Sequence, residues 1–304
     1  MSNALALASV NTFRNTITEI DALTLCASLP EASVDLVLTD PPYGTTACSW
    51  DVVVPFVPMW AAFKRVLKPR GAVVMTAAGM FAHKLACSNE AWFKYDCVWI
   101  NKQRPTGIFH AKNRPLRAYE SVLVFSSGVV NHPSMTDNRM TFFPQMTKGK
   151  PYRVNVRASV AYSGGGISTR PSWQDYEHVN DGFRYPLDVL EFGFSNHDTK
   201  HPTQKPVPLF EYLIKTYTQP GALILDPFAG SGTTAIAAKI TGRDYICGDT
   251  SAEYVELARR RVNPEFGKAP RRNREPQPLE AREVAPGIVQ DVLFSGAIEG
   301  QGAL

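Results

Sequence analysis

The chain has 304 residues, 44% of them hydrophobic, and a formal net charge of +4, so it can bury a sizeable core and permits a polyanionic partner without requiring one. Its five cysteines include no Cys-x-x-Cys pair, which argues against a zinc site and against a disulfide framework. No apolar run reaches the roughly 18 residues that a membrane span needs.

Strands and helices alternate through the first third of the chain. Hydrophobic periodicity and turn residues predict strands at Ile17–Ile20, Val34–Thr39 and Ala72–Thr76, with helices at Ala22–Leu29 and Pro58–Val66. The tetrapeptide KPRG before Ala72 is predicted as a turn. A helical piece, FAHKLACSNEAWF, and two β segments, YDCVWINK and YESVLVFSS, follow, and a loop from Gln103 to Ala118 separates the β segments.

A change of composition marks an insertion from about Val129 to Ser195. This stretch is rich in Gly, Pro, Ser, Thr and aromatic residues and has no clear helical periodicity. Between Asn131 and Gln174 it contains a single acid, Asp137. The basic residues of that interval are Arg139, Lys148, Lys150, Arg153, Arg157 and Arg170.

Regular alternation returns after the insertion. Its pattern predicts helices at Val207–Tyr217, Thr233–Ile240 and Ala252–Val262, with strands at Ala222–Leu225 and Tyr245–Gly248. Such alternation implies an α/β architecture in which helices cover both faces of a mostly parallel sheet. The Pro- and charge-rich tail after Pro264 is expected to be poorly ordered.

The strongest signal for a bound ligand is the stretch LILDPFAGSGTTAIAA. An apolar strand runs into Asp226, and then Gly230 and Gly232 allow a tight turn where a ligand can approach the backbone before a helix begins. A second strand ends at Asp249, nineteen residues after Gly230. A carboxylate there can accept hydrogen bonds from both hydroxyls of a ribose.

Three other interpretations of this stretch stay open. A phosphate-binding P-loop needs Lys-Ser or Lys-Thr where this chain has Thr233-Thr234, and a dinucleotide fingerprint needs a third glycine where it has Ala235. The third interpretation is a strand–turn–helix that binds no ligand. The Asp226 carboxylate would repel a pyrophosphate but suits an ammonium group. The residues therefore favour adenosine joined to an amino acid, as in S-adenosylmethionine.

Three motifs together resemble the DNA amino-methyltransferases. The family's cofactor motif is matched by DPFAGSGTT, its catalytic D/N/S-P-P-Y/F motif by DPPYG, and the segment before its cofactor motif by HPTQKPVPL. The catalytic motif comes first, a variable stretch follows and the cofactor motif comes last. That order resembles the β class, a circular permutation of the methyltransferase fold. The resemblance covers about Thr16–Val262, except for the variable stretch.

The resemblance implies a circularly permuted Rossmann-like fold with a mostly parallel seven-stranded sheet and an inserted target-recognition region. It divides the chain into a catalytic half (12–130), the recognition insert (131–195), a cofactor-binding half (196–263) and a flexible tail (264–304). S-adenosyl-L-methionine is the implied cofactor. The implied cofactor-binding residues are Asp21, Thr203, Gln204, Lys205, Asp226, Pro227, Phe228, Ala229, Gly230, Ser231, Gly232, Thr233, Asp249 and Thr250.

Two of these cofactor positions have a second interpretation. In the family, an acid at the strand end that Asp21 occupies contacts the cofactor's adenine amino group, but an N-cap of the helix beginning at Ala22 explains Asp21 equally well. The resemblance implies that Lys205 pairs with the methionine carboxylate. A solvated loop explains Lys205 as well.

The predicted reaction centre is the tetrad Asp40-Pro41-Pro42-Tyr43. An amino nitrogen on a base is a poor nucleophile because the ring delocalises its lone pair. Asp40 and the Pro41 carbonyl can accept the hydrogens of that amino group, while the two prolines hold the turn rigid. Tyr43 offers a flat face on which a base can stack, worth roughly 1–3 kcal/mol. A Pro-Pro turn with a capping Asp is the alternative, and the accompanying cofactor motif disfavours it.

Other residues near the tetrad carry weaker indications. Trp50 and Asp51 are expected in a loop near the base. Trp99 and Lys102 resemble another family motif whose residues lie near the flipped base, although a core position explains Trp99 nearly as well. Arg117 and Glu120 are interpreted as a structural ion pair without a chemical role.

The resemblance implies methyl transfer to N6 of adenine in double-stranded DNA, from which the target base must be flipped out. Asp-Pro-Pro-Tyr is the family's usual adenine tetrad, and N4 of cytosine stays open as the alternative. An RNA or protein methyltransferase and an inactive DNA-binding relative are more remote. Phosphate contacts are expected from Lys148, Lys150, Arg153, Arg157 and Arg170.

The resemblance also allows a homodimer and a restriction endonuclease as partners. The cysteine pattern and the lack of an apolar span predict a cytoplasmic protein without a metal. The recognition sequence is not predicted.

Overall fold

The computed structural model describes residues 10–45, 51–101, 105–130, 138–156, 176–193 and 204–263. The strands are β1 (Thr16–Glu19), β2 (Val34–Thr39), β3 (Leu67–Ala77), β4 (Phe93–Ile100), β5 (Tyr119–Phe125), β6 (Thr147–Lys148), β7 (Tyr152–Val156), β8 (Tyr176–Asn180), β9 (Phe183–Arg184), β10 (Val189–Glu191), β11 (Leu223–Asp226) and β12 (Asp244–Asp249). The labelled helices are α1 (Ala22–Ala27), α2 (Phe56–Val66), α3 (Gly79–Cys87), α4 (Val207–Tyr217), α5 (Thr233–Ile240) and α6 (Ala252–Val262), and a 3₁₀ turn spans Ile108–His110.

The described residues form two compact units. The larger contains those up to 145 and those from 185 onward, and the smaller contains those between 146 and 184. In the smaller unit, β6 pairs antiparallel with β9, and β7 pairs antiparallel with β8.

The larger unit is built on one sheet with the strand order β1-β12-β11-β2-β3-β5-β4-β10. Its strand pairs are parallel except for the two that involve β5, which runs antiparallel to both β3 and β4. The α/β fold class predicted from sequence is therefore confirmed. Within the described residues the sheet has eight strands rather than seven, because Val189–Glu191, counted in the insertion, pairs with β4.

The contact between β11 and β2 explains the permutation. Leu36 pairs with Ile224 and Val37 with Leu225, so strands from opposite ends of the chain are parallel neighbours. From this contact the sheet extends in both directions, through β12 and β1 on one side and through β3, β5, β4 and β10 on the other. A crevice at the carboxyl ends of such strands is where open α/β sheets bind ligands.

The core lies on both faces of the sheet because strand side chains alternate. Leu36 and Leu38 belong to a cluster completed by α4, α5 and α6, whereas Val37 belongs to a cluster completed by α1, α2 and α3. Helices therefore cover both faces, as the alternation predicted. Among the described residues, no helix is long and apolar enough to cross a membrane.

The KPRG segment, residues 68–71, is part of β3 and not the predicted turn. Leu67 already pairs with Val34, and an irregularity in register follows before Ala72 pairs with Leu36. Glycine is required at position 71 because a Cβ there would lie 2.7 Å from the Asp35 carbonyl oxygen. A segment with the residue types of a turn can therefore form an irregular strand when a neighbouring strand pairs with it.

Candidate active site

A cavity of about 740 Å³ opens at the carboxyl edge of the sheet in the larger unit. Its walls come from the tetrad after β2, the turn between β11 and α5, the ends of β1 and β12, and the loop between β4 and β5. The catalytic and cofactor motifs predicted from sequence therefore meet in one site, because β2 and β11 are neighbours.

Asp226, at the tip of β11, is 2% exposed and connects the two motifs. Its Oδ1 accepts hydrogen bonds from Thr39 Oγ1 at 2.5 Å and from Phe228 N at 3.1 Å, and its Oδ2 accepts one from Thr234 Oγ1. Burial raises the pKa of Asp226 to about 6, and these three donors limit the rise. Because a carboxylate has about four lone-pair positions, Oδ2 can accept one more donor, such as an ammonium group.

The two glycines in the turn after Asp226 differ in the space around them. Gly230 has a φ of +48° and lines the cavity, and no atom lies within 4 Å of the position a Cβ would take. Gly232 has a φ of +79°, and a Cβ there would lie 2.7 Å from the Cβ of Ala258 in α6. Gly230 therefore forms an open cradle, whereas Gly232 is required for helix packing and does not line the cavity.

Asp249, at the end of β12, joins this cradle through its carboxylate. Its Oδ2 accepts a hydrogen bond from Gly230 N and its Oδ1 one from Ser251 N, both at 2.9 Å. Each oxygen therefore keeps a lone pair for a further donor, as the two hydroxyls of a ribose would require.

Asp21 lies both at the start of α1 and at the cavity, so its position agrees with the N-cap interpretation and with the cofactor interpretation. Its Oδ1 accepts hydrogen bonds from Leu23 N at 2.9 Å and Thr24 N at 3.1 Å, so it is the N-cap of α1. The same side chain is exposed and lines the cavity. Capping therefore orients the carboxylate at the mouth of the site and does not compete with ligand contact.

Asp40 follows β2, and protein donors hold its carboxylate on both oxygens. Oδ1 accepts hydrogen bonds from Tyr43 Oη at 2.6 Å and from Thr76 Oγ1. Oδ2 lies 2.8 Å from the ammonium of Lys205, which also lies 3.2 Å from Glu120 Oε2. Lys205 is 6% exposed, whereas the side chains of Asp40 and Glu120 keep 22% and 20% of their surface. Asp40 is therefore fixed in orientation and still reachable from the cavity.

The position of Lys205 excludes one of its two interpretations. A solvated loop is wrong because the side chain is buried. The ammonium contacts the acids after β2 and in β5, and its pairing with the methionine carboxylate stays a prediction. Burial alone would lower the pKa of Lys205, but the carboxylates of Asp40 and Glu120 outweigh burial and raise it. Glu120 likewise pairs with Lys205 and was expected to pair with Arg117.

The ring of Tyr43 is already packed on one side. It stacks on Phe81 of α3, with ring centroids 5.0 Å apart and planes inclined by 22°. The Lys205 ammonium lies 5.5 Å from the Tyr43 centroid. Burial, with the carboxylates of Asp40 and Glu120, raises the pKa of Tyr43 well above 10, so its hydroxyl remains a donor. A base would have to stack on the face that Phe81 does not cover.

Two further residues complete the surroundings of the tetrad. Asp51 accepts hydrogen bonds from Gly44 N and Thr45 N, each at 2.8 Å, and so closes the turn after the tetrad. Trp99 is fully buried and donates its indole N–H to the Phe192 carbonyl at 3.0 Å. Trp99 is therefore a core residue that also forms part of the cavity wall.

Three residues of the candidate site had no chemical role assigned to them by the sequence analysis: Thr39, Thr76 and Glu120. The two threonines are polar residues at or near the ends of apolar strands, and that signal was available. Glu120 lies near the start of β5 and reaches the cavity because β5 is antiparallel. No local pattern reveals the direction of a strand.

Lys148 and Lys150 of the smaller unit are exposed. Arg153 lies 3.6 Å from Glu177 across the β7–β8 ladder, so an acid partly offsets its charge. Both lysines and Arg153 stay candidates for phosphate contact. Several residues named from the sequence lie outside the described part of the chain: Trp50, Lys102, Arg157, Arg170 and Thr203.

Comparison with known proteins gives consistent results. A protein-family model described as DNA methylase matches residues 34–260. The chain is 29% identical over 261 residues to the type II methyltransferase M.HpaI of Haemophilus parainfluenzae, covering 81% of this chain and 73% of that protein. It is 28% identical over 259 residues to the DNA adenine methyltransferase YhdJ of Escherichia coli K12, covering 82% of each.

Solved structures share the fold. The cytosine-N4-specific PvuII DNA methyltransferase aligns with a TM-score of 0.56 at 20% identity, covering 80% of this chain and 84% of that one. The complex of M1.HpyAVI with SAM aligns with a TM-score of 0.51 at 22% identity, covering 82% of this chain and 98% of that one.

The cavity fits S-adenosylmethionine on structural grounds. Gly230 leaves open space, Asp249 has acceptors for ribose hydroxyls, and Asp226 Oδ2 can receive an ammonium. In the part of the chain that the structure describes, no group of His, Cys, Asp and Glu side chains could hold a metal ion. With its motif order and the family match across residues 34–260, the chain belongs to the DNA methylase family, as a β-class amino-methyltransferase that uses S-adenosylmethionine.

Proposed function

We propose that this protein transfers a methyl group to the exocyclic N6 of adenine in double-stranded DNA. The observation that carries the proposal is the Asp40 carboxylate, oriented by Lys205, Thr76 and Tyr43 on the wall of a cavity that the cofactor motif also lines. The tetrad Asp-Pro-Pro-Tyr and the adenine specificity in the name of YhdJ support adenine.

Asp40 would act on the amino group through hydrogen bonding. When Asp40 Oδ2 accepts one amino hydrogen and the Pro41 carbonyl accepts the other, the nitrogen lone pair is less delocalised into the ring and becomes more nucleophilic. After transfer the nitrogen is positively charged, and the Asp40 carboxylate stabilises that charge and can accept the extra proton. Because Lys205 and Thr76 hold the carboxylate in place, little reorganisation accompanies the reaction.

S-adenosylmethionine supplies a methyl group that is already activated on a sulfonium. Asp226 would bind its ammonium, Asp249 its ribose hydroxyls and Asp21 its adenine amino group. Gly230 would let the backbone approach the ligand. The protein's contribution to rate is then positioning and electrostatics.

A target amino group inside a duplex is out of reach of Asp40, so the base must leave the stack. Lys148, Lys150 and Arg153 of the smaller unit would contact phosphates, which predicts binding that weakens steeply with salt. A DNA substrate and free thiols at the described cysteines support a cytoplasmic location.

N4 of cytosine is the second candidate. Its amino group needs the same two acceptors, and the PvuII enzyme, which shares the fold, is cytosine-N4-specific. A homodimer and a partner restriction endonuclease remain proposals that rest on the family alone.

Base-resolved sequencing of genomic DNA tests the proposal directly. The chain and its Asp40→Ala variant are each expressed in a host without its own DNA methyltransferases. Wild type should produce N6-methyladenine at one sequence motif, and Asp40→Ala should produce none although it still binds S-adenosylmethionine. Methylation confined to N4 of cytosine would replace the adenine assignment.

Purified protein distinguishes the remote alternatives. Labelled cofactor is offered with DNA, RNA and polypeptide side by side, and label should enter DNA alone. Label in RNA or polypeptide would overturn the DNA assignment. Transfer to none of them, combined with retained DNA binding, would identify an inactive DNA-binding relative.

A further inference from the structure

An exposed aromatic residue stands at the mouth of the cavity. Phe109, in the 3₁₀ turn between β4 and β5, is 96% exposed, and its neighbour Ile108 is 65% exposed. Phe109 is one of the residues that line the cavity. A phenylalanine ring gains free energy when a partner removes it from water, so Phe109 is available to a partner that approaches the cavity.

The backbone holds this ring in a defined place. Thr106 and Arg117 exchange two backbone hydrogen bonds, at 2.8 and 3.0 Å, which close the base of the loop. At the tip, Gly107 has a φ of +90°, and His110 N donates to the Gly107 carbonyl at 2.9 Å. The turn therefore presents Phe109 outward on a closed hairpin-like loop, as a projection rather than a loose end.

The loop that carries Phe109 is basic. From residue 105 to residue 118 it contains His110, Lys112, Arg114 and Arg117, and it contains no acid. Lys112 and Arg114 are exposed. His110, Arg114 and Arg117 line the cavity together with Phe109. An apolar tip surrounded by cations is complementary to a nucleic-acid duplex, which has stacked bases inside and phosphates outside.

We propose that Phe109 inserts into the DNA duplex at the place that the target base vacates, while Lys112 and Arg114 contact the neighbouring phosphates. The inference rests on the proposed DNA substrate but not on the choice of adenine. Flipping a base leaves a gap in the stack and costs a few kcal/mol. An apolar side chain that fills the gap recovers part of that cost. Because Phe109 borders the cavity, the gap and the cavity would lie side by side.

A second copy of the chain is a less suitable occupant of this surface. A contact that buried Phe109 would place a partner at the mouth of the cavity and hinder the entry of a base. Near a two-fold axis it would also bring the two basic loops close together, and their like charges would repel. The charge of the loop therefore favours DNA.

The test compares two duplexes that contain the mapped recognition motif, with whichever base the protein methylates. In one duplex the target base is paired, and in the other it faces an abasic site and is already free to leave. Phe109→Ala should reduce methyl transfer to the paired duplex by about tenfold or more, and transfer to the abasic-opposed duplex by less than about threefold. Ile240→Ala, at an exposed position at the end of α5, is the matched control and should change neither rate.

Equal losses on the two duplexes, or no loss on either, would overturn the insertion. Fluorescence anisotropy with the same duplexes gives a readout that does not depend on transfer. Phe109→Ala should weaken binding to the paired duplex more than to the other, and this result is expected also when the mapped base is cytosine and the adenine assignment fails. Lys112→Gln and Arg114→Gln should each lower the salt slope of binding by about one. A change of oligomeric state in Phe109→Ala with unchanged DNA binding would assign the surface to a second copy.

Discussion

The ammonium of Lys205 lies 2.8 Å from Asp40 Oδ2, so a buried cation holds the acid that follows β2. The same ammonium lies 3.2 Å from Glu120 in β5 and thereby links the end of β2 to an antiparallel strand two positions away in the sheet. A lone buried ammonium would be costly, and the two carboxylates offset that cost. The arrangement orients Asp40 before any substrate arrives.

Replacing Lys205 should therefore reduce both stability and activity. Lys205→Met leaves two carboxylates close together without their cation, which should lower the free energy of unfolding by about 3 kcal/mol. Methyl transfer should fall by about 100-fold because the acceptor loses its orientation. Lys215→Met is the control: its pair with Glu211 spans 3.7 Å at a 46% exposed lysine, so the change should cost less than about 1 kcal/mol. Urea denaturation and transfer assays measure both effects, and matching losses in the two variants would contradict the assignment.

Glu120 should act on the reaction through Lys205. Glu120→Gln keeps the size of the side chain but removes one carboxylate, so kcat should fall by about tenfold while the KM for S-adenosylmethionine stays unchanged. Because both residues belong to one network, the double variant with Lys205→Met should lose no more activity than Lys205→Met alone. Additive losses in this double-mutant cycle would show that Glu120 acts independently.

The ring and the hydroxyl of Tyr43 should contribute differently. The hydroxyl donates to Asp40 Oδ1 and occupies an acceptor that a substrate could use. Tyr43→Phe should therefore keep activity within about tenfold, whereas Tyr43→Ala removes the stacking face and should lose roughly 5- to 150-fold. Transfer assays at saturating cofactor measure both. Equal losses in the two variants would mean that the hydroxyl, and not the ring, is required.

Substitutions at three glycines with positive φ should distinguish a role in ligand binding from a role in helix packing. Gly230→Ala should weaken S-adenosylmethionine binding, because the added methyl group enters the cavity, with a stability loss of about 1 kcal/mol from backbone strain. Gly232→Ala should mainly destabilise the fold, by about 2–4 kcal/mol, because its Cβ would collide with Ala258. Gly221→Ala, which has a φ of +80° and open space, controls for strain alone. Calorimetric titration and urea denaturation distinguish the three, and unaltered cofactor binding in Gly230→Ala would argue against the cradle.

Asp226 should make stability depend on pH in an unusual direction. Burial raises its pKa from 3.8 to about 6, so the folded chain holds this proton more tightly than the unfolded chain does. The protonated Asp226 side chain therefore contributes fully to the free energy of unfolding below about pH 4, and this contribution is lost as pH rises through 6. Asp226→Asn removes the titration, so its stability relative to wild type should increase by about 3 kcal/mol between pH 4 and pH 8. Glu31→Gln, at an exposed acid, provides the reference for general effects of pH.

Cofactor binding should depend on the same carboxylate in the opposite sense. If the ammonium of S-adenosylmethionine binds ionised Asp226, affinity should fall as pH drops below about 6. The Asp226→Asn variant should bind S-adenosylmethionine weakly at every pH. Wild-type affinity that stays constant between pH 5 and pH 8 would exclude this role for Asp226.

The amino-acid sequence was sufficient to predict the fold class, the family and the main elements of the larger unit. The bounds predicted for α4, α5 and α6 match those observed, because an apolar stripe with Pro or Gly at its ends is a local signal. The positions of Asp40, Asp226 and Asp249 at strand tips were predictable for the same reason. An acid that directly ends an apolar strand lies at an edge of the sheet.

Tertiary structure alone decided which charges meet. Glu120 reaches the cavity because β5 is antiparallel, so its first residues share an edge with the last residues of β2. Lys205 meets Asp40 because β11 returns beside β2 and brings the preceding α4 with it. Periodicity in a sequence indicates which face of a helix or strand is buried. The direction of a strand and the partner of a buried charge depend on segments far apart in the chain, and local patterns do not encode them.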